Sequence, residues 1–321
     1  MRYSYSPAVL LTVACITLPS PAGERFDPKS LPLFTEGKLY LDQYETGLYP
    51  GGVNEMPAAH REAGLRMARA IRPLDDEGRP DDRNGRIVAV IKGHSNATLY
   101  ATEFQNLLRE KAEEVNDRFV FVIGSVAGNQ LPEIRRLEGP VWDRSMKYIS
   151  RAGCTPSQVQ VLFLHTTFNG PGNPAGQGPP PPPFPESMRQ MQRDVAAVLA
   201  HCVKIYPNLK IAYLTSDGLR HFTGMEPHVW REAFAIKWLI ESQIRGEEGT
   251  EFQDAPGKPR ILPWMCWGPY IWDNTWDRSY FRDGVHPTPQ VCRQVAEKYY
   301  ACLRADPIAQ PWMFKARAAA P

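Results

Sequence analysis

Residues 86–96 read Arg-Ile-Val-Ala-Val-Ile-Lys-Gly-His-Ser-Asn, an apolar run that ends in a glycine and a short polar turn. An apolar run of this length beside turn residues is typical of a buried β-strand. Four more such runs follow: Phe119–Val126, Val159–Thr166, Leu209–Ser216 and Ile261–Trp267. Helix-like segments separate them. This alternation predicts an α/β fold, a three-layer α/β/α sandwich around a parallel sheet of about five strands.

Six segments have the apolar spacing of helices: Glu55–Ile71, Thr98–Val115, Leu131–Ala152, Glu186–Ile205, Val229–Ile244 and Pro287–Leu303. The stretch 169–185 is rich in glycine and proline and is long for a loop inside a compact domain. It is interpreted as a spacer or a surface lid.

Several polar or small residues come directly after predicted strands, namely Ser95, Gly128, Asn169 and Asp217. The carboxyl ends of parallel strands share one edge of a sheet, and ligands bind in the crevice outside that edge. We therefore expect these residues to lie along one edge.

A second informative stretch is Asp283-Gly284-Val285-His286-Pro287, just before the last predicted helix. A carboxylate three residues ahead of an imidazole can accept a hydrogen bond from one ring nitrogen and leave the other facing outward. A serine hydroxyl needs such an oriented base to become a nucleophile. Ser95, placed between a strand and a helix, fits that role, and the pattern predicts a serine hydrolase.

The order of these blocks resembles the SGNH (GDSL-like) hydrolase superfamily. The chain is most similar to a bacterial branch, largely of uncharacterised function, whose first block reads Gly-Met-Ser-Asn after a Leu-Tyr-Pro-Gly-Gly segment. The matching residues here are Gly93-His94-Ser95-Asn96 and Leu48-Tyr49-Pro50-Gly51-Gly52. The resemblance implies the flavodoxin-like SGNH fold and ester hydrolysis through an acyl-enzyme.

Residue by residue, the resemblance implies that Ser95 is the nucleophile, His286 the base and Asp283 its orienting carboxylate. The backbone N–H groups of Ser95 and Gly128 would form the oxyanion hole. Asn169 is the nearest candidate for the third-block asparagine, although Thr166-Thr167-Phe168-Asn169-Gly170 departs from the family's Gly-x-Asn-Asp. Three other side-chain donors stay open for that role: Asn96, Asn129 and Gln130.

Composition narrows the class of partner. The 37 basic and 35 acidic residues give a net charge of +2, with no basic stripe and no acidic tail. This argues against a nucleic acid or a charged membrane surface as partner. We expect a small-molecule or polysaccharide ester substrate and no cofactor. The sequence leaves the oligomeric state open.

The N-terminus predicts export to the periplasm or the outside of the cell. Arg2 precedes the short apolar run Ala8–Leu18 and the small residues Ser20-Pro21-Ala22, which is the pattern of a signal peptide. No later segment is long enough to span a membrane. The predicted organisation is a signal at 1–22, an N-terminal extension packing on the core at 23–85, a hydrolase domain at 86–310 and a tail at 311–321.

Two other functions stay open. The departures at His94, where the superfamily usually has aspartate, and in the third block leave room for a non-catalytic carbohydrate- or partner-binding module. His94 and His165, with Asp217 or Asp283, could instead belong to a metal-assisted hydrolase. No H-x-H or H-E-x-x-H spacing exists, so the sequence predicts no metal site.

An aromatic group precedes the Asp283 stretch and has two interpretations, a substrate-cleft wall or a packed loop. Its members are Trp264, Trp267, Tyr270, Trp272 and Trp276. Aromatic side chains often line sugar-binding clefts, and they fill cores equally well. Together with export, this richness favours carbohydrate O-acetyl esters over lipids.

Overall fold

The computed structural model describes residues 31–165, 167, 182–217, 227–253, 257 and 259–316. The predicted signal, Asn169 and most of the 169–185 loop lie outside these residues. A two-stranded antiparallel ribbon, β1 (Leu39–Tyr40) and β2 (Tyr44–Glu45), comes first. The main sheet contains β3 (Ile87–Gly93), β4 (Phe119–Ile123), β5 (Val159–His165), β6 (Ile211–Thr215) and β7 (Trp264–Trp267).

All neighbouring strands of the main sheet are parallel, in the order β4-β3-β5-β6-β7. The helices are α1 (Ala58–Arg69), α2 (Ser95–Glu110), α3 (Leu131–Ile134), α4 (Pro140–Arg151), α5 (Glu186–Ile205), α6 (His228–Ile244), α7 (Pro289–Ala305) and α8 (Gln310–Met313). The predicted α/β fold with a five-stranded parallel sheet is confirmed.

Successive residues of each strand enter different cores, because side chains alternate across a strand. Val88 and Val90 pack with α3, α4, α5 and α6, whereas Ala89 and Ile91 pack with α1, α2, α7 and α8. The sheet is therefore the middle of three layers. Its strands are apolar on both faces, as expected when helices cover both sides.

The predicted helix Leu131–Ala152 is wrong, since the structure has two helices there. Leu137 and Gly139 have φ values of 62° and 91°, a left-handed conformation that a right-handed helix cannot continue through. Pro140 then begins α4, where its missing N–H costs no helical hydrogen bond. The break brings α4 back along the sheet beside β4.

The residues before β3 contact the sheet and its helices. The Trp267 indole donates to the Leu48 carbonyl at 2.7 Å, and Lys237 donates to the Tyr49 carbonyl at 2.8 Å. On the other face, the His60 ring stacks on Trp264 with centroids 4.8 Å apart. Within the described part of the chain, no helix is long and apolar enough to cross a membrane.

Candidate active site

The turn that presents Ser95 is fixed by a close approach of two strands. Gly93 pairs with His165 across β3 and β5, and a β-carbon at Gly93 would overlap the His165 carbonyl oxygen. Ser95 is the first residue of α2, three residues earlier than the pattern predicts. The backbone N–H of Val126 donates to the Gly93 carbonyl at 3.2 Å. The chain after β4 thus runs beside the Ser95 turn.

The Asp283–His286 loop is a tight turn held by the Asp283 carboxylate. Asp283 Oδ1 accepts hydrogen bonds from the backbone N–H of Val285 at 3.0 Å and of His286 at 2.8 Å. Gly284 has a φ of +84°, which glycine adopts without steric cost. The backbone N–H of Arg282 donates to the His286 carbonyl at 2.8 Å. Hydrogen bonds within residues 282–286 therefore hold the turn, and the turn places the carboxylate beside the imidazole.

Ser95, His286 and Asp283 form a continuous hydrogen-bonded chain. His286 Nε2 lies 3.0 Å from Ser95 Oγ, and His286 Nδ1 lies 2.7 Å from Asp283 Oδ2. Both distances are within the range of hydrogen bonds. If Nδ1 carries the ring proton and donates it to Asp283, Nε2 is the acceptor that faces the serine hydroxyl. The structure brings together the three residues that the sequence singled out.

The Asp283 carboxylate is kept ionised by its hydrogen bonds. The backbone N–H of His286, then the His286 side chain and the backbone N–H of Val285, hold the pKa of Asp283 well below its usual range. Its side chain is 59% exposed and that of His286 is 35% exposed. The pair therefore sits at an open cleft, where water screens it, and the hydrogen bonds rather than burial determine its charge.

Asn96 connects the two halves of the site. Its side chain is fully buried, and its Nδ2 donates to the Val285 carbonyl at 3.1 Å. Sequence reasoning offered Asn96 as an oxyanion donor, and the structure instead shows it holding the loop of His286 against the start of α2. In the sequence, the place of Asn96 directly after Ser95 was the only sign of a role at the site. Its bond to Val285 could not be predicted from spacing, because the two residues are 189 positions apart.

The residues considered for the oxyanion hole have different environments. Gly128 is exposed, has a φ of +78° and follows Ala127, which lines the cleft beside Ser95. Asn129 donates its side chain to the carbonyls of Val126 and Ala127, and Gln130 takes part in the capping box of α3 with Glu133. The last two side chains thus have local structural roles. Asn169 lies outside the described residues.

An open cleft of about 410 Å³ lies over the triad. Its wall is completed by Thr98, Leu99, Ala127 and Arg282. A second depression, of about 400 Å³, adjoins it and shares Thr98 and Ala127. The space in front of Ser95 is therefore open to solvent, and most of its lining surface is apolar although Ser95, Arg282, Asp283 and His286 border it.

The aromatic group before the Asp283 loop is packed into the protein. Trp264, Trp267, Trp272 and Trp276 are each no more than 9% exposed, and the cleft lining contains none of the group. Of the two interpretations, the packed loop is the one that the structure supports. Their abundance therefore carries no information about the substrate.

A second group of polar residues lies at the same edge of the sheet. His94 follows β3, Asp217 follows β6 and His165 ends β5. His94, His165 and Asp217 are buried, and the His165 Nε2 lies 2.7 Å from Asp217 Oδ1. Asp283 is not part of this group. These residues form a cluster distinct from the triad.

No protein-family model matches the chain, and no curated protein matches it significantly.

Proposed function

We propose that this protein is a serine esterase of the SGNH type that works through an acyl-enzyme intermediate. The observation that carries the proposal is the chain of hydrogen bonds from Ser95 Oγ to His286 and from His286 to Asp283, 3.0 and 2.7 Å long. A base within hydrogen-bond reach of a serine, oriented by a third group, is the arrangement that activates a serine hydroxyl.

In this mechanism Ser95 Oγ attacks the ester carbonyl carbon while His286 Nε2 takes its proton. Asp283 stays ionised and holds the imidazolium that forms. The tetrahedral intermediate collapses, and His286 returns the proton to the leaving alcohol. Water then attacks the acyl carbon while His286 Nε2 takes its proton, and as the bond to Ser95 Oγ breaks His286 returns that proton to Oγ and the acid leaves.

The developing oxyanion would bind to backbone N–H groups of Ser95 and Gly128. Ser95 opens α2, and the first N–H groups of a helix have no partner within that helix. The N-cap residue His94 makes no side-chain cap bond to α2. The partial positive charge at the helix start adds to the stabilisation of an anion.

We infer that the substrate has a small acyl group and a polar alcohol part, such as an O-acetylated carbohydrate. The cleft over Ser95 is small and open, and apolar atoms, among them those of Leu99 and Ala127, form most of its lining, which suits a short acyl group. Arg282 on the wall offers hydrogen-bond donors to hydroxyl groups. The export predicted from residues 1–22 agrees with a polysaccharide encountered outside the cytoplasm.

A fluorophosphonate tests the nucleophile without knowledge of the substrate. Intact-mass analysis of the folded protein is expected to show a single adduct at Ser95, absent in Ser95→Ala. The matched control is Ser279→Ala, because Ser279 is exposed and donates to Asp277 at 2.6 Å. This control should still be labelled.

Turnover of p-nitrophenyl acetate, butyrate and octanoate then tests the acyl preference, with acetate expected to be the best substrate. Ser95→Ala should lower turnover by about 10⁶-fold. No adduct and no turnover in folded wild-type protein would refute the esterase. Retained glycan binding would in that case support the binding module, which is the alternative function.

A further inference from the structure

Two histidines and an aspartate meet at the carboxyl edge of the sheet, next to the Ser95 turn. His94 follows β3, His165 ends β5 and Asp217 lies two residues after β6. One potential ligand atom of each lies within 4.8 Å of the other two. The residues are 5, 1 and 8% exposed. We call these three residues the strand-end cluster.

The strand-end cluster lies where the order of the strands reverses. β4 pairs with one side of β3, and β5 and all later strands lie on the other side. In open α/β sheets this point between two strands is where ligands bind. Gly93 and His165 are paired in register across it, so His94 follows directly at the reversal.

Hydrogen bonds orient both imidazoles. His94 Nδ1 lies 3.3 Å from the His165 carbonyl oxygen, so Nδ1 is the donor there and Nε2 carries the lone pair. His165 Nδ1 lies 3.4 Å from the Tyr299 hydroxyl, and the Tyr100 ring stacks on His165 at 5.6 Å with an interplanar angle of 8°. Histidines that bind metal ions are held by such outer contacts.

The donor set favours a particular class of ion. Two imidazole nitrogens and one carboxylate oxygen suit zinc and related transition metals, whereas calcium and magnesium prefer oxygen ligands alone. A buried carboxylate is costly unless positive charge compensates it. A divalent ion beside Asp217 would supply that charge in place of the hydrogen bond from His165.

We propose that the strand-end cluster binds one divalent transition-metal ion of the zinc type through His94, His165 and Asp217. Binding replaces the hydrogen bond between His165 Nε2 and Asp217 Oδ1: the His165 ring proton moves to Nδ1, which lies beside the Tyr299 hydroxyl, and the Nε2 lone pair binds the ion. The ion connects the ends of β3, β5 and β6. It also fixes His94, and through the backbone the neighbouring Ser95.

Calorimetric titration of the tag-free, chelator-treated full chain with ZnCl₂ tests the proposal. We expect one equivalent to bind with a Kd on the order of 1 µM or lower. Zn²⁺ should also raise Tm by several degrees, because the fold brings the three ligands together and so favours binding to the folded state, and Mg²⁺ should not. Cobalt in place of zinc should give the visible absorption of a nitrogen- and oxygen-ligated ion.

Variants separate this site from the triad. Asp217→Asn conserves size and is expected to weaken Zn²⁺ binding at least about 100-fold, whereas His286→Ala should leave it unchanged. Cys302→Ala excludes the exposed thiol as the binding group.

Absence of heat and of a Tm shift in wild-type protein would overturn the proposal even if a variant fails to fold. Unchanged affinity in Asp217→Asn, or affinity lost in His286→Ala, would overturn it as well. Fluorophosphonate labelling of Ser95 is measured separately, so the metal site and the esterase can fail independently.

Discussion

The carboxamide of Asn96 donates a hydrogen bond of 3.1 Å to the Val285 carbonyl, which joins the helix that begins at Ser95 to the loop that carries His286. Ser95 and His286 each neighbour one end of this bond. The distance between Ser95 and His286 therefore depends on a buried contact that includes neither of their side chains. In the proposed esterase, Asn96 would act as a positioning residue.

Asn96→Ala is expected to lower kcat by about 10- to 100-fold with little change in KM, because a small misplacement of a base is costly. Asn106→Ala is the control, since Asn106 lies on the same helix and its side chain forms hydrogen bonds with Glu103 and Arg109 of that helix. Steady-state kinetics on p-nitrophenyl acetate measures both. Equal kcat in the two variants would show that Asn96 does not position the base.

The Asp283 carboxylate both accepts the backbone hydrogen bonds of the turn and faces His286 Nδ1. Two substitutions can separate these roles. Asp283→Asn can still accept the backbone N–H groups of Val285 and His286, but its amide would face His286 Nδ1 and favour the wrong ring tautomer. We expect kcat to fall by about 10²- to 10⁴-fold with Tm nearly unchanged. Asp283→Ala also removes the acceptor of the turn, and Tm should fall as well.

The measurement is kcat and thermal unfolding for the Asp283 variants side by side. Since Asp283 is largely exposed, the loss of Tm in Asp283→Ala reflects the turn hydrogen bonds more than charge. Full activity in Asp283→Asn would mean that the carboxylate does not orient His286. An equal decrease in Tm in both variants would mean that the turn hydrogen bonds do not account for the stability of the loop.

Gly93 and Gly128 are glycines for different physical reasons: a close approach of backbone at Gly93 and a positive φ at Gly128. Alanine substitutions can distinguish the two. Gly93→Ala would force a β-carbon against the His165 carbonyl and within 2.7 Å of the Ala97 β-carbon. Gly128→Ala has open space around it and pays only for its φ of +78°. We expect a loss of unfolding free energy of about 3 kcal/mol or more for Gly93 and about 1–2 kcal/mol for Gly128.

Urea unfolding followed by circular dichroism measures both glycine variants. If Gly93→Ala were no more destabilising than Gly128→Ala, the strands β3 and β5 would not approach each other as closely as described. The comparison therefore tests the geometry beneath the Ser95 turn without using activity.

The parallel sheet and the closeness of Ser95, His286 and Asp283 are the parts that the sequence predicts well. Both depend on local patterns: apolar runs of strand length, and a carboxylate three residues before an imidazole. The break before Pro140 was readable from Gly139-Pro140, but the apolar spacing of residues 131–152 continues through it, and so periodicity alone predicts one helix.

Which distant side chains meet at the sheet edge is what the sequence left open. It grouped His94 and His165 with either Asp217 or Asp283, and the structure joins them to Asp217, which is 52 residues from His165. No spacing motif decides between the two aspartates, because only the order of the strands brings the three residues to one point. Asn96 and Val285 are likewise joined by the fold, because α2 and α7 pack side by side.

Lys92 is a charged residue within the core, directly before the Ser95 turn. It is 1% exposed, and its Nζ lies 4.0 Å from the centroid of the Trp142 ring. Among the described residues its Nζ has no hydrogen-bond partner. Burial lowers the pKa of Lys92 from 10.5 to about 8, because the charged form is poorly solvated there.

The sign of the pH dependence follows from proton binding. Between pH 8 and 10.5 the unfolded chain holds the Lys92 proton and the folded chain has lost it. The contribution of Lys92 to the free energy of unfolding therefore becomes more favourable to the folded state as the pH rises across this window. Below pH 8 both states are protonated, and the full cost of the buried charge remains.

Lys92→Met is accordingly expected to stabilise the protein at pH 7 by up to about 3 kcal/mol, less whatever the contact with Trp142 contributes. The gain should shrink from pH 8 and vanish near pH 10.5. Urea unfolding at pH 7, 9 and 10.5 measures it, with Lys204→Met, an exposed lysine on α5, as the control for removing a surface charge. A destabilised Lys92→Met at pH 7 would mean that the ammonium group, through Trp142, stabilises the core more than its burial costs.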